Sequence, residues 1–297
     1  MIESYEIGYL CAGEAQKMLA YMAHEGMCFI LDIDSGTVTG KFQTSYHVND
    51  HRVYLDDGAG VLYRACYSTR QLDMYDVFTG KHFNSVRTNR RIDFFVRVHD
   101  SQLAVWSSPS VLFGDTRTGQ LKRKFSGYPP QGVGRQYPPF IFMQDLNEKP
   151  FFERPFLVDE NLNRIGKVIS ANYRGAAYVC DGKGLAWTYN AGTTFYELDF
   201  VRGTTREVFS IEQKAEWTFP MYDDLRRIVS VISINRAVDI IHVDVDIDTY
   251  KPVVRRRGLQ VQYDSCYIKR LHRLYQANGL VYDLTTAEYL EPIDLTM

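Results

Sequence analysis

The chain has 297 residues, 45% of them hydrophobic and 14% aromatic, and its formal net charge is −2 at neutral pH. This charge gives no general reason to expect binding to nucleic acid or to an anionic membrane, and no stretch approaches the roughly 18 consecutive apolar residues of a membrane-spanning helix. The first residues lack the basic and apolar regions of a secretory signal, and the five scattered cysteines are typical of free thiols, so we expect a cytoplasmic protein with no metal or other cofactor.

Seven segments along the chain join a short apolar strand to an aspartate that begins a turn. The clearest are LDIDSG at 31–36, YDVFTG at 75–80 and LDFVRG at 198–203. Aspartate side chains bond nearby backbone amides and glycine supplies a positive φ, so the pattern predicts structural hairpin turns with Gly36, Gly80 and Gly119 at positive φ. The seven aspartates, which recur about every 42 residues as propeller blades do, are Asp32, Asp76, Asp115, Asp159, Asp199, Asp246 and Asp283.

Each period divides into about four short apolar strands separated by turn residues, as antiparallel hairpins require. Helical periodicity is nearly absent, and only the segment 12–23 could be argued as a helix. The fourth period lacks a glycine turn, so we expect it to be the least regular, and the first strand of the sixth is poorly defined. The predicted blades of a single domain are residues 1–43, 44–87, 88–126, 127–170, 171–211, 212–257 and 258–297.

On these repeats, the chain resembles seven-bladed β-propellers of the tryptophan-aspartate repeat or quinoprotein-like class. The resemblance covers the whole length at the level of the fold and implies an all-β ring of seven four-stranded antiparallel blades. The chain departs from the first family because no Gly-His pair opens its blades and no Trp-Asp pair closes its third strands. It departs from quinoprotein enzymes because no tryptophan recurs in its fourth strands. The resemblance therefore implies no activity. A pair of β-sandwiches, the alternative architecture, would not explain seven equal periods.

The acidic run HVDVDID, residues 242–248, places a histidine and three aspartates on one side of a strand, because side chains alternate along a strand. Three carboxylates suit Ca²⁺. The run does not match the helix-loop-helix calcium loop, however, because Thr249 stands where that loop needs glycine. We therefore favour a charged outer edge strand that resists unwanted pairing. No catalytic triad, nucleophile elbow, phosphate-binding loop or dinucleotide fingerprint is recognisable.

The connections between blades emerge on one face of a propeller, so their residues can form one surface. We place them at 43–50, 87–91, 126–139, 212–220 and 255–260, where eight cations and four Tyr or Trp face three acids. Tyr, Trp and Arg are the residue types enriched at interface hot spots. The residues of this predicted binding face are Tyr46, Arg90, Arg91, Tyr128, Arg135, Tyr137, Trp217, Arg255 and Arg256.

These features favour a non-enzymatic protein-binding module, such as a scaffold, adaptor or inhibitor, whose partner has an acidic surface. Nucleic acid is not favoured, because three consecutive arginines without interleaved aromatics are too short a signal. Two alternatives stay open: a hydrolase or lyase with a polar site in the central channel, and a sensor of small molecules or glycans with an aromatic pocket. Charge is also uneven, with nine acids and three Lys or Arg in residues 1–60 and the opposite excess in 251–273, which predicts complementary first and last blades.

Overall fold

The structure is a computed structural model that describes the chain except for residues 1–6, 14, 16, 45–51, 67–69, 88–91, 93, 100–101, 108–109, 116–119, 127–139, 146–152, 160–161, 170–172, 174, 190–191, 213–216, 235–239, 262–264 and 294–297. The described elements are β-strands and one 3-10 helix, Lys269–Leu271, which confirms the all-β class. The helix considered for residues 12–23 is wrong, because this segment contributes to two strands.

Three antiparallel sheets, each with strands hydrogen-bonded in chain order, form the N-terminal part. The first contains β1 (Ile7–Ala12), β2 (Met18–Ala23), β3 (Met27–Asp32) and β4 (Thr37–Gln43). The second contains β5 (Arg52–Asp56), β6 (Val61–Cys66), β7 (Gln71–Asp76) and β8 (His82–Arg87). The third contains β9 (Phe94–His99), β10 (Gln102–Ser107), β11 (Ser110–Asp115) and β12 (Gln120–Ser126).

Four further sheets follow in the same arrangement. The fourth contains β13 (Phe140–Asp145), β14 (Glu153–Val158) and β15 (Arg164–Ile165). The fifth contains β16 (Gly175–Cys180), β17 (Lys183–Tyr189), β18 (Thr193–Asp199) and β19 (Thr204–Ile211). The sixth contains β20 (Trp217–Asp223), β21 (Ile228–Ile234), β22 (Ile240–Asp246) and β23 (Pro252–Arg257). The seventh contains β24 (Ser265–Ile268), β25 (Arg273–Gln276), β26 (Val281–Asp283) and β27 (Glu288–Tyr289).

Six of these sheets have the four strands predicted for a blade, and the fourth has three among the described residues. The fourth, which the sequence predicts to be the least regular, is the one sheet with fewer than four strands among the described residues. The first strand of the sixth sheet, which the sequence left poorly defined, is the seven-residue strand β20.

The middle strands of a sheet are buried on both faces. In the first sheet, residues 19–23 of β2 and 28–31 of β3 are all buried, whereas the outer strand β4 alternates between exposed and half-buried positions. The reason is that the sheet packs on both sides: one face contributes to an apolar cluster with the second sheet, and the other to a cluster with the seventh. Near-continuous apolar runs in the middle strands are the expected sequence of doubly covered sheets.

The described chain divides into two compact units. The first comprises residues 1–124 and 262–297, and the second residues 125–261. In the second unit, the fifth sheet packs on the fourth through Leu198 and Phe200, and on the sixth through Phe195 and Trp187. Both units are therefore built by stacking sheets face to face.

The first and seventh sheets pack on each other inside the first unit, along a contact that we call the seam. Its core joins residues such as Tyr21 and Phe29 to Ile268 and Tyr275. At the surface, Arg270 Nη2 donates to Asp34 Oδ1 at 2.5 Å, an ion pair of the kind that the uneven charge predicts. Among the described residues, each sheet consists only of strands consecutive in sequence, so no exchanged strand closes the seam.

The aspartate turns have the predicted structure. The backbone N–H and the hydroxyl of Ser35 donate to Asp32 Oδ1 at 2.8 and 2.9 Å, and those of Thr79 donate to Asp76 Oδ1 at 2.7 and 2.8 Å. Asp246 is held in the same way. These hydrogen bonds lower the pKa of each carboxyl group. These aspartates therefore cap turns and their chemistry is structural, whereas the turn after Asp115 lies outside the described residues.

In the turns of the first, second, fifth, sixth and seventh sheets, the fifth residue has a positive φ whatever its type. Gly36 and Gly80 have φ values of 68° and 69°, which confirms the prediction, and Gly119 lies outside the described residues. In the sixth and seventh sheets the same position holds Tyr250, with φ 54°, and Ala287, with φ 60°. The turn geometry therefore persists where the glycine is missing.

A β-bulge recurs in the outer strands of four sheets. The pairing of the third strand with the fourth shifts register in the first, second, fifth and sixth sheets. The extra residues are Thr39, Phe83, Val208 and Arg255. A bulge twists an edge strand away from regular pairing, which protects the sheet from adding a strand of another molecule.

Candidate functional site

Six of the nine residues of the predicted binding face lie outside the described residues, and they remain predictions. These six are Tyr46, Arg90, Arg91, Tyr128, Arg135 and Tyr137. Trp217 is the first residue of the strand β20, so its predicted place in a connecting loop is wrong. Arg255 and Arg256 lie in the outer strand β23, so their assignment to a connecting loop is wrong. The strand extends this far because Arg256 and Arg257 pair with His242 and Ile241 of β22.

The start of one predicted connection is described. After β4, the Thr44 backbone N–H donates to Gly26 O at 3.0 Å, and Gln43 Nε2 donates to Glu25 O at 2.8 Å. Arg64, which is almost completely buried, donates from Nη1 to Thr44 Oγ1 at 2.7 Å. The connection therefore leaves the sheet beside the turn between β2 and β3, from a rigidly held base.

A second candidate site, which the sequence did not reveal, lies between the hairpin ends of the fifth and sixth sheets. It is a cavity of about 50 Å³, and we call it the turn cavity. Its apolar floor is formed by Val179, Leu185, Val229, Val245 and Ile247. Its polar mouth is formed by Cys180, Asp181, Lys183, Arg227, Asp248 and Tyr250. An apolar floor with a few polar groups around it is the usual construction of a binding site.

Three residues at the mouth of the turn cavity have left-handed backbone conformations. Asp181, Arg227 and Tyr250 have φ values of 50°, 53° and 54°. Each non-glycine residue in this region is disfavoured, and such positions concentrate at functional sites and ligand clamps. The one signal of this site in the sequence was Tyr250, a bulky residue at a turn position that is glycine in the clearest repeats.

An ion-pair network fixes the wall of the turn cavity. Glu197 of β18 accepts hydrogen bonds from Tyr250 Oη at 2.5 Å, from Lys183 Nζ at 3.1 Å and from Arg206 Nε at 3.0 Å. Burial alone would raise the pKa of the Glu197 carboxyl, but these three donors outweigh burial and lower it. The carboxylate therefore joins the fifth sheet to the turn of the sixth.

The thiol at the mouth is not an activated nucleophile. Burial raises the pKa of the Cys180 thiol, and a hydrogen bond with Tyr222 only partly offsets this. A reactive cysteine needs a lowered pKa, because the thiolate is the attacking species. The thiol of the cavity is therefore not arranged for nucleophilic catalysis.

The acidic run 242–248 is not an outer edge strand, which corrects the interpretation from the sequence. Its first part lies in β22, the third strand, where His242 and Asp244 are buried. They are tolerated there because Asp244 accepts from Ser230 Oγ at 2.5 Å, lies 2.9 Å from His242 Nε2 and pairs with Arg255 Nε at 3.3 Å. The neighbouring strands β21 and β23 supply Ser230 and Arg255, so the run alone could not show these two partners.

This Ser-His-Asp cluster does not form a hydrolytic triad. In a triad the imidazole lies between the hydroxyl and the carboxylate, whereas Ser230 bonds the carboxylate of Asp244 directly. Both Ser230 and His242 are fully buried, so no substrate reaches the hydroxyl. The described part of the chain contains no group of three or more His, Cys, Asp or Glu side chains that could hold a metal ion. Among the same residues, no helix is long and apolar enough to cross a membrane.

Comparison with known proteins relates the chain to others by fold. No family model matches it, and no curated protein sequence does. Hydrazine synthase of Kuenenia stuttgartiensis is 10% identical, with a TM-score of 0.66 over 100% of this chain and 98% of that chain. The β-propeller domain of Cps50 (Swd1) from Myceliophteria thermophila is 12% identical, with a TM-score of 0.59 over 97% of each chain. The WD40 repeats of RRP9 are 9% identical, with a TM-score of 0.61 over 92% of this chain and 87% of that chain.

These neighbours include an enzyme as well as WD40 repeats, so the shared fold does not decide between catalysis and binding. Their architecture agrees with the face-to-face antiparallel sheets described above. The predicted fold class is therefore confirmed: the chain is a β-propeller.

Proposed function

We propose that the chain is a non-enzymatic protein-binding propeller, acting in the cytoplasm as a scaffold, adaptor or inhibitor, and that its seven sheets form one domain. The described cysteines are free thiols, which suits a reducing compartment. WD40 repeats among the structural neighbours are consistent with a scaffold, since rigid sheets with variable loops commonly carry recognition.

The proposed location of the binding face is based on the composition of one segment. The segment 127–139, between β12 and β13, contains Tyr128, Arg135, Tyr137 and four prolines but no acidic residue. Tyrosine and arginine supply hot-spot contacts, and proline lowers the entropy that a loop loses on binding. We propose that this segment, with Arg90 and Arg91 of the preceding connection, contacts an acidic surface of the partner.

The observed strand bounds narrow this proposal. Arg87 and residues 255–257 belong to strands, so the cations left in the predicted connections are Arg90, Arg91, Arg135 and Lys214. Three acids, Asp50, Glu212 and Glu216, lie in the same segments. The proposal that the partner has an acidic surface therefore depends on the connections before β9 and before β13, and not on the whole predicted binding face.

The test compares the proposed face with the opposite end of the sheets. Wild-type chain is used to isolate its partner from the native host, and binding constants are then measured with the purified pair. Tyr128→Ala and Tyr137→Ala should speed dissociation, with at least one costing more than about 2 kcal/mol. Arg90→Glu with Arg91→Glu should slow association and weaken its salt dependence. Arg202→Glu, an exposed change in a hairpin turn, is the matched control. A partner that responds only to the control would refute the proposed face.

A further inference from the structure

The turn cavity has the size of one aliphatic side chain. It measures about 50 Å³, whereas sites for cofactors and drug-sized ligands measure roughly 300–1,000 Å³. Each water-sized group needs at least about 10–15 Å³ of such space, so the cavity accepts a group of a few heavy atoms. The branched side chain of leucine is of this size, and the apolar floor suits it.

An exposed leucine lies beside this cavity. Leu225 is in the turn between β20 and β21, two residues before Arg227 of the cavity mouth, and it is 95% exposed. The turn itself does not require an apolar residue there. The turns between the first two strands of the first, second, third and fifth sheets, at 13–17, 57–60, 100–101 and 181–182, contain no apolar side chain larger than alanine. One surface therefore carries both a projecting apolar side chain and an apolar cavity.

Both parts of this surface are held in place by hydrogen bonds. Asp223 Oδ1 accepts from the backbone N–H groups of Leu225 at 2.9 Å and of Arg226 at 3.3 Å, and Asp223 Oδ2 accepts from Arg226 Nε at 2.5 Å. In the wall of the cavity, Tyr250 is anchored to Glu197. Two rigid surfaces lose little conformational entropy when they associate.

The charges at the cavity mouth balance. Ion pairs join three carboxylates and three cations there: Asp181, Asp248, Glu197, Arg227, Lys183 and Arg206. A partner surface of uniform charge therefore meets like charges as well as opposite ones. A surface that itself carries both signs fits this mouth better.

The turn that carries Leu225 has such a surface. It reads Asp223, Asp224, Leu225, Arg226 and Arg227, with the acids before the leucine and the bases after it. In a twofold pair the same segment of a second copy runs in the opposite direction, so its bases face the acids of the first copy. The order of charges is therefore complementary to itself, and the occupant it fits is an identical chain.

We propose that two copies of the chain associate through a twofold axis beside this turn, with Leu225 of each copy inserted into the turn cavity of the other. Asp224 of each copy then lies close to Arg227 of the partner copy. The contact is confined to hairpin ends, so we expect a weak dimer that dissociates readily. It does not involve the residues of the proposed binding face.

Sedimentation velocity over a series of protein concentrations tests for this dimer. The wild type should show a reversible equilibrium between monomer and dimer. Leu225→Asp, a change of an exposed side chain, should raise the Kd of the dimer at least about tenfold, because it places a carboxylate on the apolar floor of each cavity. The matched control is Phe78→Asp, since Phe78 is 70% exposed in a turn of the second sheet. This change should leave the Kd within about twofold. A wild type that stays monomeric, or equal effects of the two variants, would overturn the proposal.

Disulfide trapping identifies the side chains in contact. Cys180 lies at the mouth of the turn cavity, so Leu225→Cys should form a disulfide with Cys180 of the partner copy on mild oxidation. The product is a covalent dimer on a non-reducing gel, and adding Cys180→Ser should abolish it. If no covalent dimer forms, or if it persists in the double variant, Leu225 does not enter the cavity and the proposal is wrong.

The dimer and the proposed binding face can fail separately. Tyr128→Ala combined with Tyr137→Ala should leave the sedimentation of the chain unchanged. If that double variant were monomeric while Leu225→Asp still formed dimers, the connections and not the turn cavity would hold the copies together, which would refute the cavity contact.

Discussion

At the scale of single residues, Tyr250 shows how one side chain compensates for a disfavoured backbone. Its φ of 54° costs roughly 1–2 kcal/mol for a non-glycine residue. In return, its hydroxyl donates to the Glu197 carboxylate, and Arg206 stacks over its ring with 5.4 Å between Cζ and the ring centroid. A hydrogen bond to a charged group contributes about 1.5–3 kcal/mol, so the contact outweighs the strain.

Two substitutions of Tyr250 test whether its hydrogen bond contributes more than its backbone strain costs. Tyr250→Phe should lower the free energy of unfolding by about 1–2 kcal/mol, because the carboxylate loses a donor. Tyr250→Gly removes the strain but also the ring, and we expect it to be less stable than Tyr250→Phe. Urea unfolding of both variants provides the measurement. A Tyr250→Gly variant more stable than the wild type would show that the backbone strain outweighs the contacts of Tyr250 with Glu197 and Arg206.

Gly36 and Gly80 occupy the same position in two turns but have different neighbours. A Cβ at Gly36 would meet no atom within 4 Å, whereas a Cβ at Gly80 would lie 2.4 Å from Phe42 Cβ. Gly36→Ala should therefore cost only the backbone strain, about 1 kcal/mol, and Gly80→Ala should cost at least about 1 kcal/mol more because Phe42 must move. Thermal melting of the two variants decides this, and equal losses would contradict the clash with Phe42.

The lowered pKa of Glu197 predicts acid sensitivity. A group whose pKa is lower in the folded state stabilises the fold above its unfolded pKa, which is about 4.3 for glutamate. This stabilisation is lost as the pH falls through the lowered folded value. The melting temperature of the wild type should therefore fall more steeply below about pH 4.5 than that of Glu197→Gln. If the melting temperatures of the two proteins fell in parallel with pH, Glu197 would not contribute to the acid sensitivity.

At the scale of elements, the polar cluster around Asp244 in the sixth sheet shows how much stability depends on one buried carboxylate. Asp244 and Asp246 are two residues apart, but one lies inside the sheet and the other begins a turn. Asp244→Ala should cost at least about 3 kcal/mol, because it leaves buried polar partners without their acceptor. Asp246→Ala removes only a turn cap and should cost about 1 kcal/mol. Chemical unfolding measures the loss of stability in both variants. Similar losses would mean that the buried cluster does not depend on Asp244.

The sequence predicts the elements that are determined locally. The aspartate turns were predictable, because each aspartate and its donors lie within a few residues. The ends of β23 were not, since Arg255–Arg257 continue the strand only through pairing with β22. The turn cavity was equally hidden, because its mouth combines hairpins of two different sheets, whose contact the local sequence does not show. In both cases the feature depends on a contact with another strand or hairpin, and the local sequence does not show which one.

At the scale of the whole molecule, packing rather than charge should hold the seam together. Ile268 is fully buried in its core, whereas the side chains of Arg270 and Asp34 are 35% and 66% exposed. Ile268→Ala should cost about 2–5 kcal/mol, and Arg270→Ala less than about 1 kcal/mol. Unfolding curves at low and high salt measure both effects. A larger loss in Arg270→Ala would reverse this ranking.

The seam also has a consequence for biosynthesis. Its hydrogen bond from the Ala12 backbone N–H to Cys266 Sγ spans 254 residues, whereas the strands of every described sheet are neighbours in sequence. A ribosome therefore delivers each sheet in a form that can pair at once, but the apolar face of the first sheet that carries Tyr21 and Phe29 stays uncovered until the seventh sheet emerges. During translation this face is the surface most exposed to aggregation, and a chaperone that shields it has to act until the last sheet is made.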